Sequence, residues 1–160
     1  MTARKRHTIQ KGFTLVELLV VIGILAILLA IVLIAINPAR QFALARDTQR
    51  QSNVETILNA VNHYMADNKG ALPAGITTTA KDITSTVGAT NVDLCTALVS
   101  KYVADLPLDP SNGTKTPAGN VCTVAGTTYD TKYTIVQSAT DNRVTVSATG
   151  EITTSISVTR

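Results

Sequence analysis

Residues 18–36 of this 160-residue chain are nineteen consecutive side chains without a charge, and a single carboxylate, Glu17, stands at their head. A helix crosses the hydrocarbon core of a bilayer with about 20 apolar residues at about 1.5 Å each, so the run is long enough to span. A carboxylate within lipid costs roughly 2.5–3.5 kcal/mol unless it sits near the interface, is protonated or finds a partner. Glu17 therefore has two readings. It lies at headgroup level, favoured there by the macrodipole of the first helical turn, or it enters the membrane and is paired. Upstream, residues 1–11 hold Arg4, Lys5, Arg6 and Lys11 and no acid. By the positive-inside rule this end stays in the cytoplasm. Gly12 separates the basic segment from the apolar one.

The sequence Lys11-Gly12-Phe13-Thr14-Leu15-Val16-Glu17-Leu18, followed by the long apolar run, resembles the class III signal of type IV pilins and the related pseudopilins. The resemblance implies cleavage between Gly12 and Phe13 by a membrane-embedded prepilin peptidase, and methylation of the new Phe13 amine by the same enzyme. Residues 1–12 are then a leader that is lost, while 13–36 remain as the transmembrane half of a helix and later as filament core. It also implies that Glu17 serves assembly, which has a physical sense. A Phe13 ammonium in the membrane plane is cheaper beside a carboxylate than alone, and pairing an incoming Phe13 with a Glu17 already in the filament sets the axial register. Two other readings stay open. An ordinary secretory signal has an apolar region of about 7–15 residues and a small-residue cleavage site, which Ala35 and Ala39 imitate. An uncleaved signal anchor would keep the whole segment.

Residues 37–69 read as an amphipathic continuation of the helix. Val54, Ile57, Leu58, Val61 and Met65 fall at helical spacing, with Arg46, Asp47, Arg50, Gln51, Asn53 and Asn62 placed largely elsewhere on the wheel. Asn68, Lys69, Gly70 and Pro73 signal its end. Tyr64 and Met65 read as core at this spacing, and His63, with no second ligand near it in sequence, as structural or solvated. Asn37-Pro38 interrupts the helix where the apolar run stops, predicting a kink or a local melt near residues 35–39. The family resemblance gives Gly23 and Pro38 the part of helix breakers around which the helix unwinds on assembly. A simple bend is the alternative.

Residues 70–160 are expected to form a small head. Trp is absent and aromatics are 4% of the chain, so its packing rests on Val, Ile, Leu and Ala. Residues 71–90 read as an irregular connector. A short helix is predicted over 92–103, with Asn91 as its cap. Stretches 129–136, 143–148 and 151–158 alternate apolar residues with Thr or Ser and read as a three-stranded antiparallel meander, turning at Asp141-Asn142 and Thr149-Gly150. The fold class is thus α+β, pilin-like: a long N-terminal helix packed on a small antiparallel sheet.

Leu106-Pro107-Leu108-Asp109-Pro110 is a dense turn sequence. It resembles the Leu-Pro-x-Asp-Pro loop of major pseudopilins of type II secretion and of some pilins, and in those pseudopilins nearby loop oxygens bind calcium. Calcium takes six to eight oxygens, of which Asp105, Asp109, Ser111 and Asn112 can supply some. There is no twelve-residue loop of alternating acids, and an Asx-turn on Asp109 explains the same residues. Cys95 and Cys122, the only cysteines, are twenty-seven apart in a part of the chain expected outside the cytoplasm, where a disulfide persists. The alternative, a redox or metal pair, lacks Cys-x-x-Cys spacing.

No nucleophile elbow, phosphate loop or zinc spacing is present, so no catalytic residue is assigned and the chain reads as a non-enzyme. Removing residues 1–12 takes four of the fourteen Lys and Arg and none of the eleven acids, leaving ten against eleven. Bulk charge thus gives no basic surface for nucleic acid, leaving only a local patch formed by assembly. The expected function is a structural subunit of a type IV pilus-like filament. A type II secretion or competence pseudopilin is the nearer alternative, and a membrane-anchored binding or adhesion module the more distant one. The resemblance implies as partners further copies of the chain, the prepilin peptidase and methyltransferase, and an assembly platform with its ATPase. It implies a single pass through the cytoplasmic membrane first and an extracellular pilus or periplasmic pseudopilus afterwards. Gly12→Val should block cleavage, seen as a membrane protein that keeps the mass of the full precursor.

Overall fold

The computed structural model describes residues 12–160, so the basic segment with Arg4, Lys5, Arg6, His7 and Lys11, expected to be a cleaved leader, lies outside the described residues. The chain divides into an N-terminal unit, Met1–Gln41, and a head, Phe42–Arg160.

In the N-terminal unit, helix α1 covers Leu15–Ile36. Its twenty-two residues are long and apolar enough to cross a membrane, about 33 Å at 1.5 Å per residue, and none of them is buried. Asn37 ends it with a left-handed backbone, φ 48°, a conformation that Asn tolerates better than most residues. The same residue starts helix α2 (Pro38–Asp67). Its carbonyl accepts from the Arg40 amide at 3.1 Å and its side-chain oxygen from the same amide at 3.4 Å. Pro38 has no amide to lose at that first position. The interruption expected near residues 35–39 is therefore a break of a single residue, and α1 runs unbroken through Gly23.

In the head, α2 buries Ala43, Asp47, Arg50, Val54, Ile57, Leu58, Ala60 and Val61. The apolar stripe read from the sequence is there, but Asp47 and Arg50 lie on it rather than elsewhere on the wheel. The helix closes with Lys69 and Gly70 at positive φ and the Gly70 amide on the Met65 carbonyl at 2.8 Å, a helix-terminating wrap that satisfies a last-turn carbonyl.

Six strands form one mixed sheet: β1 (Lys81–Thr84), β2 (Asn91–Val92), β3 (Thr114–Thr116), β4 (Thr128–Gln137), β5 (Val144–Ala148) and β6 (Ile156–Thr159), with α3 (Cys95–Leu98) between β2 and β3. The order is β2-β1-β4-β5-β6, with β3 paired to the first part of β4. β4, β5 and β6 make the expected antiparallel meander. Three expectations need correction. The connector over 71–90 contains β1, which pairs with β4 and, in parallel, with β2. The helix expected over 92–103 is four residues long, and its first amide is taken by the Asp93 carboxylate at 2.8 Å rather than by Asn91. The strand expected from residue 151 starts at Ile156, because residues 151–153 turn their amides toward α2 instead of a neighbouring strand.

The core is closed between α2 and the sheet by Val54, Ile57, Leu58 and Val61 with Ile83, Val92, Leu98, Tyr133, Ile135, Val144 and Val146, among others. Tyr64 and Met65 pack at its margin, and His63 is exposed. Cys95 and Cys122 are joined in a disulfide with their Cα atoms 6.0 Å apart, pinning α3 to the loop that precedes β4. Closing a loop of this size contributes about 2–4 kcal/mol, a material share for a head with few aromatics.

Candidate functional site

The first turn of α1 is built by a reciprocal cap. Thr14 accepts the Glu17 amide on its hydroxyl at 3.2 Å, while Glu17 Oε2 accepts the Thr14 amide at 2.8 Å and the Thr14 hydroxyl at 2.7 Å. This is the Ser/Thr-x-x-Glu capping box, which satisfies amides that a helix start leaves without partners. It also lowers the cost of a carboxylate at the head of an apolar helix, because that carboxylate already holds two donors of its own chain. Only Oε2 is used, and among the described residues Oε1 accepts no hydrogen bond. Thr14 was not singled out in the sequence, although the signal, Thr three residues before Glu, was present.

Phe13 is 83% exposed. A Cβ placed on Gly12 or on Gly23 would meet nothing within 4 Å. The fold of the isolated chain therefore does not require glycine at either position, and a requirement at Gly12 must come from something that binds the extended chain there.

The head holds a second constellation that sequence reading missed. Arg50, 1% exposed, projects from α2 into acceptors from two distant segments. Its Nη1 donates to Asp47 at 2.7 Å, one turn before it on α2. Its Nε and Nη2 donate to Asp109 at 2.6 and 3.3 Å, and Nη2 reaches Ser111 at 2.9 Å and Glu151 at 2.9 Å. Asp47 in turn accepts the amides of Glu151, Ile152 and Thr153 at 2.8, 2.8 and 3.0 Å. Gly150 permits that close turn, since a Cβ there would run into the Thr153 carbonyl. Arg46 pairs with Glu151 through both carboxylate oxygens, and Asn53 donates to the Leu108 carbonyl at 3.0 Å and to Tyr133 at 2.9 Å. Four polar side chains of α2 thus hold the 106–113 turn and the β5–β6 connection.

The protonation states follow from these contacts. Burial pushes the Asp47 carboxyl up, but the three amides and Arg50 outweigh it and hold the group far below the ordinary range. Asp109 is likewise raised by burial and lowered further by Arg50 and the amides of Asn112 and Ser111, with a net fall. Glu151 is lowered to about 2, chiefly by Arg46, with Arg50 and Ser111 adding to the effect against burial. The Arg50 guanidinium is raised, first by its bonds to Asp109.

The oxygens considered for calcium are arranged for nitrogen donors. Asp109 Oδ1 accepts the Ser111 and Asn112 amides at 2.9 and 2.8 Å, the Asx-turn read from the sequence, and both its oxygens face Arg50. Asp105 is engaged separately by Lys115 and by the amides of Leu106 and Cys122. Six to eight oxygens turned to one point are not present in this arrangement, so it does not fit the ion. Among the described residues no three His, Cys, Asp or Glu side chains are grouped to hold a metal.

Comparison with known proteins bears on the N-terminal constellation. Residues 8–33 match the family model described as the prokaryotic N-terminal methylation motif. The motif spans Gly12, Phe13, Thr14, Glu17 and Gly23. It supports a membrane-anchored precursor of type IV pilin or pseudopilin type, implies processing by a prepilin peptidase and assembly into a filament, and points to a structural subunit rather than an enzyme. No curated protein and no solved structure matches the chain.

Two outcomes are expected for the head. Asp47→Ala leaves three amides without an acceptor and Arg50 short of a partner. It should cost about 3–5 kcal/mol, read in denaturant unfolding of the full chain in detergent. The carboxylates have lower pKa values folded than unfolded, so their stabilisation is complete above the unfolded values and is lost as protons bind the folded state. The unfolding midpoint should hold near neutrality and decline as pH falls from the ordinary glutamate value of 4.5 toward about 2.

Proposed function

We propose that this chain is the precursor of a structural subunit of a type IV pilus-like filament. It is cleaved after Gly12, methylated on Phe13 and polymerised through α1. The observation that carries the reading is the methylation motif over residues 8–33 joined to a helix that buries none of its twenty-two residues. Lipid covers that surface while the subunit waits in the membrane with its N-terminus cytoplasmic, and the helices of other copies cover it afterwards. No term in this sequence asks the head to perform chemistry. The chemistry is done to the chain by the peptidase and methyltransferase, and an assembly platform with its ATPase supplies the work of extraction.

Glu17 carries the step from membrane to filament. In the subunit its Oε2 is occupied by Thr14, which keeps the ionised carboxylate tolerable at the head of the helix and leaves Oε1 to accept the Phe13 ammonium of another copy. A buried ion pair of this kind is weak as a source of net affinity and strong as a determinant of register. Unwinding at Gly23 and at the Asn37-Pro38 break would let α1 adjust as it enters the core, and Gly23, whose missing side chain leaves open space, costs a helix about 1 kcal/mol relative to Ala.

A pseudopilin of type II secretion or competence is supported by the Leu106-Pro107-Leu108-Asp109-Pro110 turn and by nothing that separates it from a pilin in the N-terminal motif. The test of the common reading is Glu17→Ala in cells. Processing to the shorter form should continue while filaments recovered from the cell exterior or periplasm are lost. Normal filaments from this variant would remove Glu17 from assembly, and an unprocessed, membrane-held chain in the unaltered strain would favour the anchored binding module.

A further inference from the structure

The 106–113 turn resembles a loop near which pseudopilins bind calcium, yet here its carboxylate meets a guanidinium. We infer that Arg50 is a built-in cation that draws the 106–113 turn and the β5–β6 connection onto α2, so that the head folds and keeps its shape without calcium. The inference concerns the head alone and stands whether or not the filament reading holds.

A structural calcium ion earns its place by drawing oxygens from chain segments that are far apart in sequence to one point. Arg50 does this here. Asp109 lies 59 residues away, Ser111 61 and Glu151 101, and Asp47 supplies a fourth acceptor from α2 itself. Three carboxylates and one hydroxyl converge on a single positive group that is almost wholly withdrawn from water. The fork of the guanidinium suits this task, because its five N–H donors leave in fixed, separate directions and can serve several carboxylates at once.

The same geometry shuts a divalent ion out. An ion approaching Asp109 or Glu151 meets the Arg50 charge, and Arg46 adds a second positive group on Glu151. Displacing the Arg50 guanidinium from its three carboxylates while it stays buried would leave an uncompensated charge inside the head, which strongly disfavours the exchange. The oxygens that remain are also committed, since Asp47 holds three backbone amides and Asp109 Oδ1 holds two. Removing the positive charge while keeping the carboxylates takes away the one group that faces all three of Asp47, Asp109 and Glu151, and the amides that hold Asp47 and Asp109 still keep their oxygens from turning to an added ion.

All four tyrosines, Tyr64, Tyr102, Tyr129 and Tyr133, lie in the head and Trp is absent, so near-ultraviolet circular dichroism of the full chain in detergent micelles follows the head specifically. Thermal unfolding is recorded in chelator and in millimolar calcium. The unaltered protein should show one midpoint in both. Arg50→Gln should unfold several degrees earlier, and by the same margin in chelator and in calcium. Arg50→Lys, which keeps the charge but not the fork, should unfold earlier and remain indifferent to calcium. A saturable calcium-dependent rise in the midpoint of the unaltered protein overturns the inference, as does an Arg50→Gln protein that unfolds at the midpoint of the unaltered one. Calcium sensitivity in Arg50→Lys would equally overturn it.

Discussion

α1 presents apolar side chains, none of which is buried among the described residues. From Leu15, 79% exposed, to Ile34, 83% exposed, the exposure runs around the helix rather than along one stripe, so no single face of a globular core could have matched it. Apolar surface of that extent is stable only in lipid or against other helices of the same kind. The rest of the chain is arranged to make such a helix workable. A basic segment precedes it, a capped carboxylate opens it, and Asn37 closes it so that a different kind of helix begins at Pro38.

α2 answers a separate constraint. It supplies one wall of a head that has no Trp and little aromatic area, and it does so with a buried face on which two of the positions are charged. Arg50 and Asp47 together bind two segments that lie outside the strands, the 106–113 turn and the β5–β6 connection. The ion cluster is costly to desolvate, and its gain over an apolar replacement is in which segments meet rather than in net stability. The disulfide between Cys95 and Cys122 fixes the region of α3 that this cluster does not reach.

What was legible in the sequence was local and periodic. The apolar run, the basic N-terminal segment and the Gly-Phe-Thr-Leu-Val-Glu string read directly, and so did the α2 stripe and the β4–β6 meander, whose alternation is long enough to stand out. Thr14 is legible as the partner of Glu17 in a capping box, since Thr three residues before Glu is that motif's local signature. Asp47 and Arg50 were misplaced although they sit at helical spacing with Val54, Ile57 and Val61. Charge argues against burial where no partner is in sight, and the partners that make burial possible here, Asp109 and the 151–153 amides, are distant in sequence. β1 and β2 were missed because each is too short to show alternation: Ile83 is the only apolar residue of the first and Val92 of the second, and their pairing is decided by β4. The late start of β6 has the same origin, since only the fold shows that residues 151–153 spend their amides on Asp47.

The state of the N-terminus on protein outside the cell tests most directly whether α1 is a filament core delivered by cleavage at Gly12. Filaments sheared from the cell surface, digested and read by mass spectrometry should yield an N-terminal peptide that begins at Phe13 and is heavier by one methyl group. A peptide that begins at Met1, found only in the membrane fraction, would contradict it.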